Sequence, residues 1–148
     1  MKIDITKLTN FIEEAHRNTY ANKKTKKDKS SKLNSKDYVF KKGPFKYHDT
    51  YFGDRNFMGQ EIVYFNGNPV WGMNYCGYIT DKDLSKNEVF SFLKDSLIQK
   101  TDTFMFRGPE QYTNDKYKYI NSNDGDINNF YGAETIFNES GEIYRSFY

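Results

Sequence analysis

The sequence predicts an α+β fold: a helix followed by a three-stranded antiparallel meander, used twice, with the strands joined in one curved sheet and the helices packed on one side. Three observations predict it. Two apolar stripes fall at helical spacing, Leu8, Phe11, Ile12 and Ala15 in one and Val89, Phe92, Leu93 and Leu97 in the other. Each is followed by alternating β-forming runs separated by glycine-containing turns. The later run is a degenerate copy of the earlier: Lys46-Tyr47 answers Lys118-Tyr119, Gly53-Asp54 answers Gly125-Asp126, and Phe57-x-Gly59-x-Glu61 answers Phe130-x-Gly132-x-Glu134, at offsets of 72 or 73 residues. Ordered matches at a near-constant offset are the mark of a repeated unit.

The chain of 148 residues is read as a single domain, with pseudo-repeats at 4–79 and 85–148. Thirteen phenylalanines and thirteen tyrosines must supply much of the core, so many tyrosines are expected half-buried with the hydroxyl in water or on a partner. No apolar run reaches the roughly 18 residues a membrane span requires, and no apolar leader follows Met1. The single Cys76 excludes an internal disulfide, and a cytoplasmic location is expected.

The first helix is expected from Asp4 to Tyr20, capped by Asp4 or Thr6, with His16 beside its stripe on the surface or satisfied by a neighbour. A lysine-rich loop at 22–37 follows. Between Asn22 and Lys42 nine lysines face two aspartates. Lys23, Lys24, Lys26 and Lys27 are its candidates for contacting phosphates. The run lacks interleaved aromatics for base stacking, which favours a solvated, mobile loop over nucleic-acid binding. Relative to the second half this segment carries sixteen extra residues, a loop elaborated on the repeat.

Ser35 to Phe40 regains strand character before Gly43-Pro44 breaks the chain. Tyr47, Asp49 and Tyr51 then share one face of the first meander strand, which ends in a Gly53-Asp54 turn. Gln60 to Phe65 forms the second strand, and Asn66-Gly67 is a strong hairpin signal. On the return strand Trp71, Met73 and Tyr75 point one way, and Asn74 and Cys76 the other. The second helix opens at Ser85, where Ser85-x-x-Glu88 has capping-box form. In the second meander Tyr117 to Ile120 is a strand, Asn121 to Asn129 a loop, and Ala133 to Phe137 pairs with Glu142 to Phe147. The acidic NSNDGDINN run lacks calcium-ligand spacing, and no metal or cofactor is expected.

Several blocks carry a resemblance: Tyr47-x-Asp49-x-Tyr51-Phe52-Gly53, Phe57-x-Gly59-x-Glu61, Pro69-Val70-Trp71-Gly72-Met73-Asn74-Tyr75-x-Gly77 and Phe106-Arg107-Gly108-Pro109. Together they resemble an uncharacterised bacterial domain family of unknown function, found alone and also C-terminal to XRE-type helix-turn-helix regulators. The resemblance implies no activity. Cys76 departs from it, where a second tyrosine is usual, as does the lysine-rich insert.

Pockets favour interfaces between matched units. The candidate site is therefore a ligand-binding cleft containing Glu61 and Glu134, with Tyr47, Asp49, Tyr51, Trp71, Asn74 and Tyr75 around them. The glutamates would face a cationic or hydrogen-bonding ligand and the rings would stack on it. The leading functional expectation is a non-enzymatic small-molecule sensing or sequestering domain, used in transcription regulation. An alternative is a protein-interaction or inhibitor module, phage-related or regulatory, anchored by exposed tyrosines. An enzyme using Glu61 and Glu134 as acid and base is the weaker alternative: no nucleophile elbow, phosphate loop or zinc-ligand set accompanies them, and no catalytic residue is assigned.

Overall fold

The computed structural model describes residues 3–101 and 106–148. In chain order the elements are α1 (Ile5–Asn18), β1 (Lys36–Lys42), β2 (Phe45–Gly53), β3 (Asn56–Phe65), β4 (Asn68–Ile79), α2 (Lys86–Leu97), β5 (Gln111–Thr113), β6 (Lys118–Asp126), β7 (Asn129–Asn138) and β8 (Gly141–Phe147). The eight strands form one open, curved antiparallel sheet in the order β1-β2-β3-β4-β8-β7-β6-β5. Each half thus has a helix and four strands, where the sequence predicts three. The additional strands are the two edges. β1 extends the alternation of Tyr38 and Phe40, while three-residue β5 is too short for a periodic signal.

Asp4 caps α1 by accepting from the Lys7 amide, and the buried stripe Leu8, Phe11, Ile12 and Ala15 packs with Phe45, Tyr47, Val63 and Trp71. α2 buries Val89, Phe92, Leu93 and Leu97 against Tyr119, Ile136, Ile143 and Tyr144. Register places both sets on one face of the sheet. Tyr47 opposes Val63 and Val63 opposes Trp71, while Ile79 opposes Tyr144 and Tyr144 opposes Ile136. Burying each large side chain contributes about 1.5–3 kcal/mol.

The capping box at Ser85 does not form. Ser85 makes no side-chain cap, and Glu88 instead accepts from the Tyr117 hydroxyl and Lys116, a tertiary partner that outcompetes the local one. Nor is Asn121 to Asn129 a loop. β6 continues to Asp126, because each residue to Asp126 pairs with β7 and the ladder overrides the weak strand propensity of asparagine and aspartate. The hairpin at Asn66-Gly67 has positive φ at both central residues, +49° and +81°, as its turn type requires.

Several details recur in both halves. Gly53 and Gly125 both sit at positive φ before their turns, and register shifts fall at Val63/Tyr64 and at Ile136/Phe137. Contacts across the halves are reciprocal. Trp71 of the first half stacks on Phe130 of the second at 5.9 Å, while Phe57 of the first stacks on Tyr144 of the second at 6.0 Å.

The lysine-rich loop is tied to the edge of the sheet. Asp28 bridges Asp37 of β1 and its carboxylate accepts from the Val39 amide, while Ser31 and Ser35 donate to the Asp37 carboxylate. Hydroxyl and backbone contacts anchor it at these points, while the side chains of Lys23, Lys24, Lys26, Lys27, Lys29 and Lys32 stay exposed, as its composition predicts. Among the described residues no helix is long and apolar enough to cross a membrane.

Candidate functional site

β3 and β7 place Glu61 and Glu134 on the helix-covered face, each fully buried. Alternation dictates this: both glutamates lie two residues before an apolar core residue, Val63 or Ile136, so each shares that residue's face. Between them stands Arg107. Its Nη1 donates to Glu61 at 3.3 Å and its Nε to Glu134 at 3.2 Å. Its guanidinium lies over the rings of Tyr20 at 4.8 Å and Tyr75 at 5.4 Å. Burial disfavours the charged guanidinium, yet Glu134, Tyr20 and Glu61 outweigh it and hold its pKa well above the ordinary value.

Both acids take further hydrogen bonds from protein groups. His16 Nε2 hydrogen-bonds Glu61 at 2.7 Å. Tyr119 and Ser146 hydroxyls donate to Glu134 at 2.6 and 2.7 Å. Next to this network Tyr75 donates to Asp49 at 2.7 Å, and in the other half Tyr148 donates in the same way to Asn121 at 2.7 Å. Gly59 and Gly132 make room for these tyrosines: a Cβ there would lie 2.4 Å from the Tyr75 ring or 2.3 Å from the Tyr148 ring.

Asp49 is 1 % exposed, and Tyr75 is the hydrogen-bond partner of its carboxyl among the described residues. Burial first, and then the neighbouring Glu61, push its pKa up to about 8. The second half carries Asn121 at the matching place, a neutral acceptor that needs no protonation.

A cavity of about 440 Å³ opens above Asp49, Tyr75 and Arg107. Phe57 of β3, Phe90 and Leu93 of α2 and Tyr51 of β2 also line it. Lys27 and Lys36 reach over the Tyr51 ring at 5.7 and 5.5 Å, and Lys94 of α2 also borders the space.

Asp49, Tyr51 and Tyr75 of the expected cleft thus border one cavity. Glu61 and Glu134 lie within the Arg107 network, and Tyr47 and Trp71 lie in the core under α1. Asn74 is on the opposite face of the sheet, where it accepts from Gln60. Of the loop lysines, Lys27 borders the cavity, Lys23 pairs with Asp95, and Lys24 and Lys26 are exposed. Arg107, Tyr20 and Lys94 carry no site signal in the sequence beyond the Phe106-Arg107-Gly108-Pro109 block. Among the described residues no cluster of three or more histidine, cysteine or acidic side chains is arranged to hold a metal.

Residues 49–148 match the family described as Domain of unknown function (DUF5680). No curated protein and no solved structure matches the chain.

Proposed function

The chain belongs to that family of unknown function, and from this premise we propose that it is a non-enzymatic, small-molecule-binding module whose ligand occupies the cavity above Asp49 and Arg107. One observation carries the reading. A 440 Å³ space, within the range of small-molecule sites at about 300–1,000 Å³, is bordered by aromatic rings and by two polar groups held rigidly from below. Glu61 and Glu134 serve it indirectly. Each is committed to Arg107 and to further donors, so they fix the guanidinium against Tyr75 rather than transferring protons.

The two αββββ halves are, on this reading, one unit used twice, and divergence between Asp49 and Asn121 gave one half the titratable group. Attached to a DNA-binding module, as in the domains it resembles, such a site would act as an effector sensor. The cytoplasm is the proposed location, on the strength of the single Cys76. Native mass spectrometry of freshly purified protein tests the binding role. A retained small molecule lost on Leu93→Trp, which fills the cavity, supports it; an unliganded mass together with no stabilisation by any member of a metabolite panel overturns it.

The protein-interaction reading draws on the opposite face of the sheet. There Met58, Cys76 and Phe147 are consecutive cross-strand neighbours, and Met58 and Phe147 are 62 % and 43 % exposed. A partner covering them would shield Cys76 from thiol-specific alkylation in the complex.

A further inference from the structure

We infer that the cavity takes a planar aromatic ligand bearing an anionic group, a carboxylate or a phosphate, with the ring against Phe57 and Phe90 and the anion at Lys27, Lys36 and Lys94. The inference rests on the binding role proposed above and adds the class of ligand.

Charge around the cavity decides the sign. Five cations border it, Lys27, Lys36, Lys86, Lys94 and Arg107, against Asp49 and Asp54. Arg107 is already matched by two glutamates, and Lys86 by Asp54. Asp49, with its pKa raised to about 8, is mostly uncharged at neutral pH. Three ammonium groups, Lys27, Lys36 and Lys94, therefore make no ion pair among the described residues; Asp54, paired with Lys86, also feels Lys36 at longer range. Lys36 donates to the Gly53 carbonyl, and Lys27 and Lys36 both reach the Tyr51 ring. A cationic ligand would add to this repulsion, whereas an anion would relieve it.

Geometry explains why the cations converge. Lys27 comes from the lysine-rich loop, Lys36 from β1 and Lys94 from α2, three elements that meet only in the folded chain. The loop is held at that place by the Asp28–Asp37 bridge on one side and by the Lys23–Asp95 ion pair with α2 on the other, at 2.6 Å. Burial, and then Lys27 and Lys23, lower the pKa of Lys94, the response of an ammonium group that lacks its counter-ion. The side lined by Phe57 and Phe90 is apolar: Phe57 stacks on Tyr144 and meets Phe90 edge-on at 6.0 Å, an aromatic corner that offers a ring both a face and an edge. Below, protonated Asp49 has a proton to donate to a ring carbonyl or ring nitrogen.

Thermal denaturation of the full chain is measured with four probes: adenosine monophosphate, indole-3-acetate, neutral adenosine and inorganic phosphate. The wild-type chain is compared with Lys36→Gln/Lys94→Gln, both changes lying at the cavity rim. The expected result is a dose-dependent rise in Tm with adenosine monophosphate or indole-3-acetate, which identifies phosphate or carboxylate as the anion. Neutral adenosine and inorganic phosphate should bind at least about tenfold more weakly, and the double variant should lose about tenfold in affinity with its own Tm little changed. If neutral adenosine binds as well as its monophosphate and the double variant binds equally, the cavity is a ligand site and the anionic class is wrong. If no probe shifts either chain and no retained mass is found, the class and the binding role fall together.

Discussion

Glu61 and Glu134, at matching positions on β3 and β7, share a single guanidinium: Arg107 donates to the first at 3.3 Å and to the second at 3.2 Å. Two buried acids around one cation form an arrangement that desolvation makes costly unless every lone pair is used. His16, Tyr119 and Ser146 add three hydrogen bonds to the two from Arg107 and offset part of that cost. The same contact joins the two halves of the sheet and sets the floor of the cavity.

Arg107→Met keeps much of the side-chain volume and removes the cation. Unfolding free energy in urea should fall by about 3–5 kcal/mol, the usual result of stranding a buried charge. Adding Glu61→Gln and Glu134→Gln to that variant should recover part of the loss, because amides need no counter-charge. Wild-type stability in Arg107→Met alone would mean that the acids hold themselves neutral without the guanidinium.

Asp49 makes stability depend on pH in a direction opposite to most carboxylates. Its pKa in the folded chain is pushed up to about 8, against an unfolded value of 3.8, so the folded state holds the proton over that interval. Its contribution is thus fully present below about pH 4 and is lost as pH rises toward 8, with a slope of at most about 1.4 kcal/mol per pH unit. Asp49→Asn carries no titrating proton. Relative to wild type, this variant should gain stability steadily between about pH 5 and about pH 8, measured by urea midpoints at each pH. A constant difference across the interval would mean that Asp49 is ionised throughout.

Legibility in the sequence differed by the range of the interaction. The stripe Leu8, Phe11, Ile12 and Ala15 and the turn Asn66-Gly67 are local patterns, and both elements formed as read. That Glu61 and Glu134 each lie on a strand two residues before an apolar residue was also visible, since the alternation is local. Arg107 was not. It sits outside any periodic element, 46 residues from Glu61, and only the joining of β4 to β8 brings the two acids around it. Lys27, Lys36 and Lys94 were illegible as a group for a related reason, because a charge run shows neither which lysine borders a cavity nor what faces it across the fold.

Gly53 and Gly125 supply a matched test of the backbone. Their φ values are +94° and +99°, and a Cβ on either would lie 2.1 Å from a backbone oxygen, of Asn56 or Asn129. Backbone cannot yield as a side-chain tip can. Gly53→Ala and Gly125→Ala should each cost about 1–3 kcal/mol in urea unfolding. A much smaller loss at Gly125 than at Gly53 would show that the second turn rearranges where the first does not.

Asp37 governs the lysine-rich loop and is fully buried on the far face of β1. Burial opposes its ionisation, but hydrogen bonds from Ser31, Ser35, His48 and Thr50 outweigh that and hold its pKa well below the ordinary carboxylate value. The depressed pKa fixes the sign. Its stabilisation is complete above the ordinary value and is lost as pH falls below about 4. Asp37→Ala removes the common acceptor of two loop serines, so the loop should open while the sheet persists. Trypsin cleavage after Lys29 and Lys32 should then quicken by at least about tenfold at neutral pH, equivalent to about 1.4 kcal/mol of local stability. Peptide mapping over a time course measures it. Unchanged cleavage at those two lysines, with the circular dichroism of the fold intact, would mean that the Asp28 contacts with β1 hold the loop without the carboxylate of Asp37.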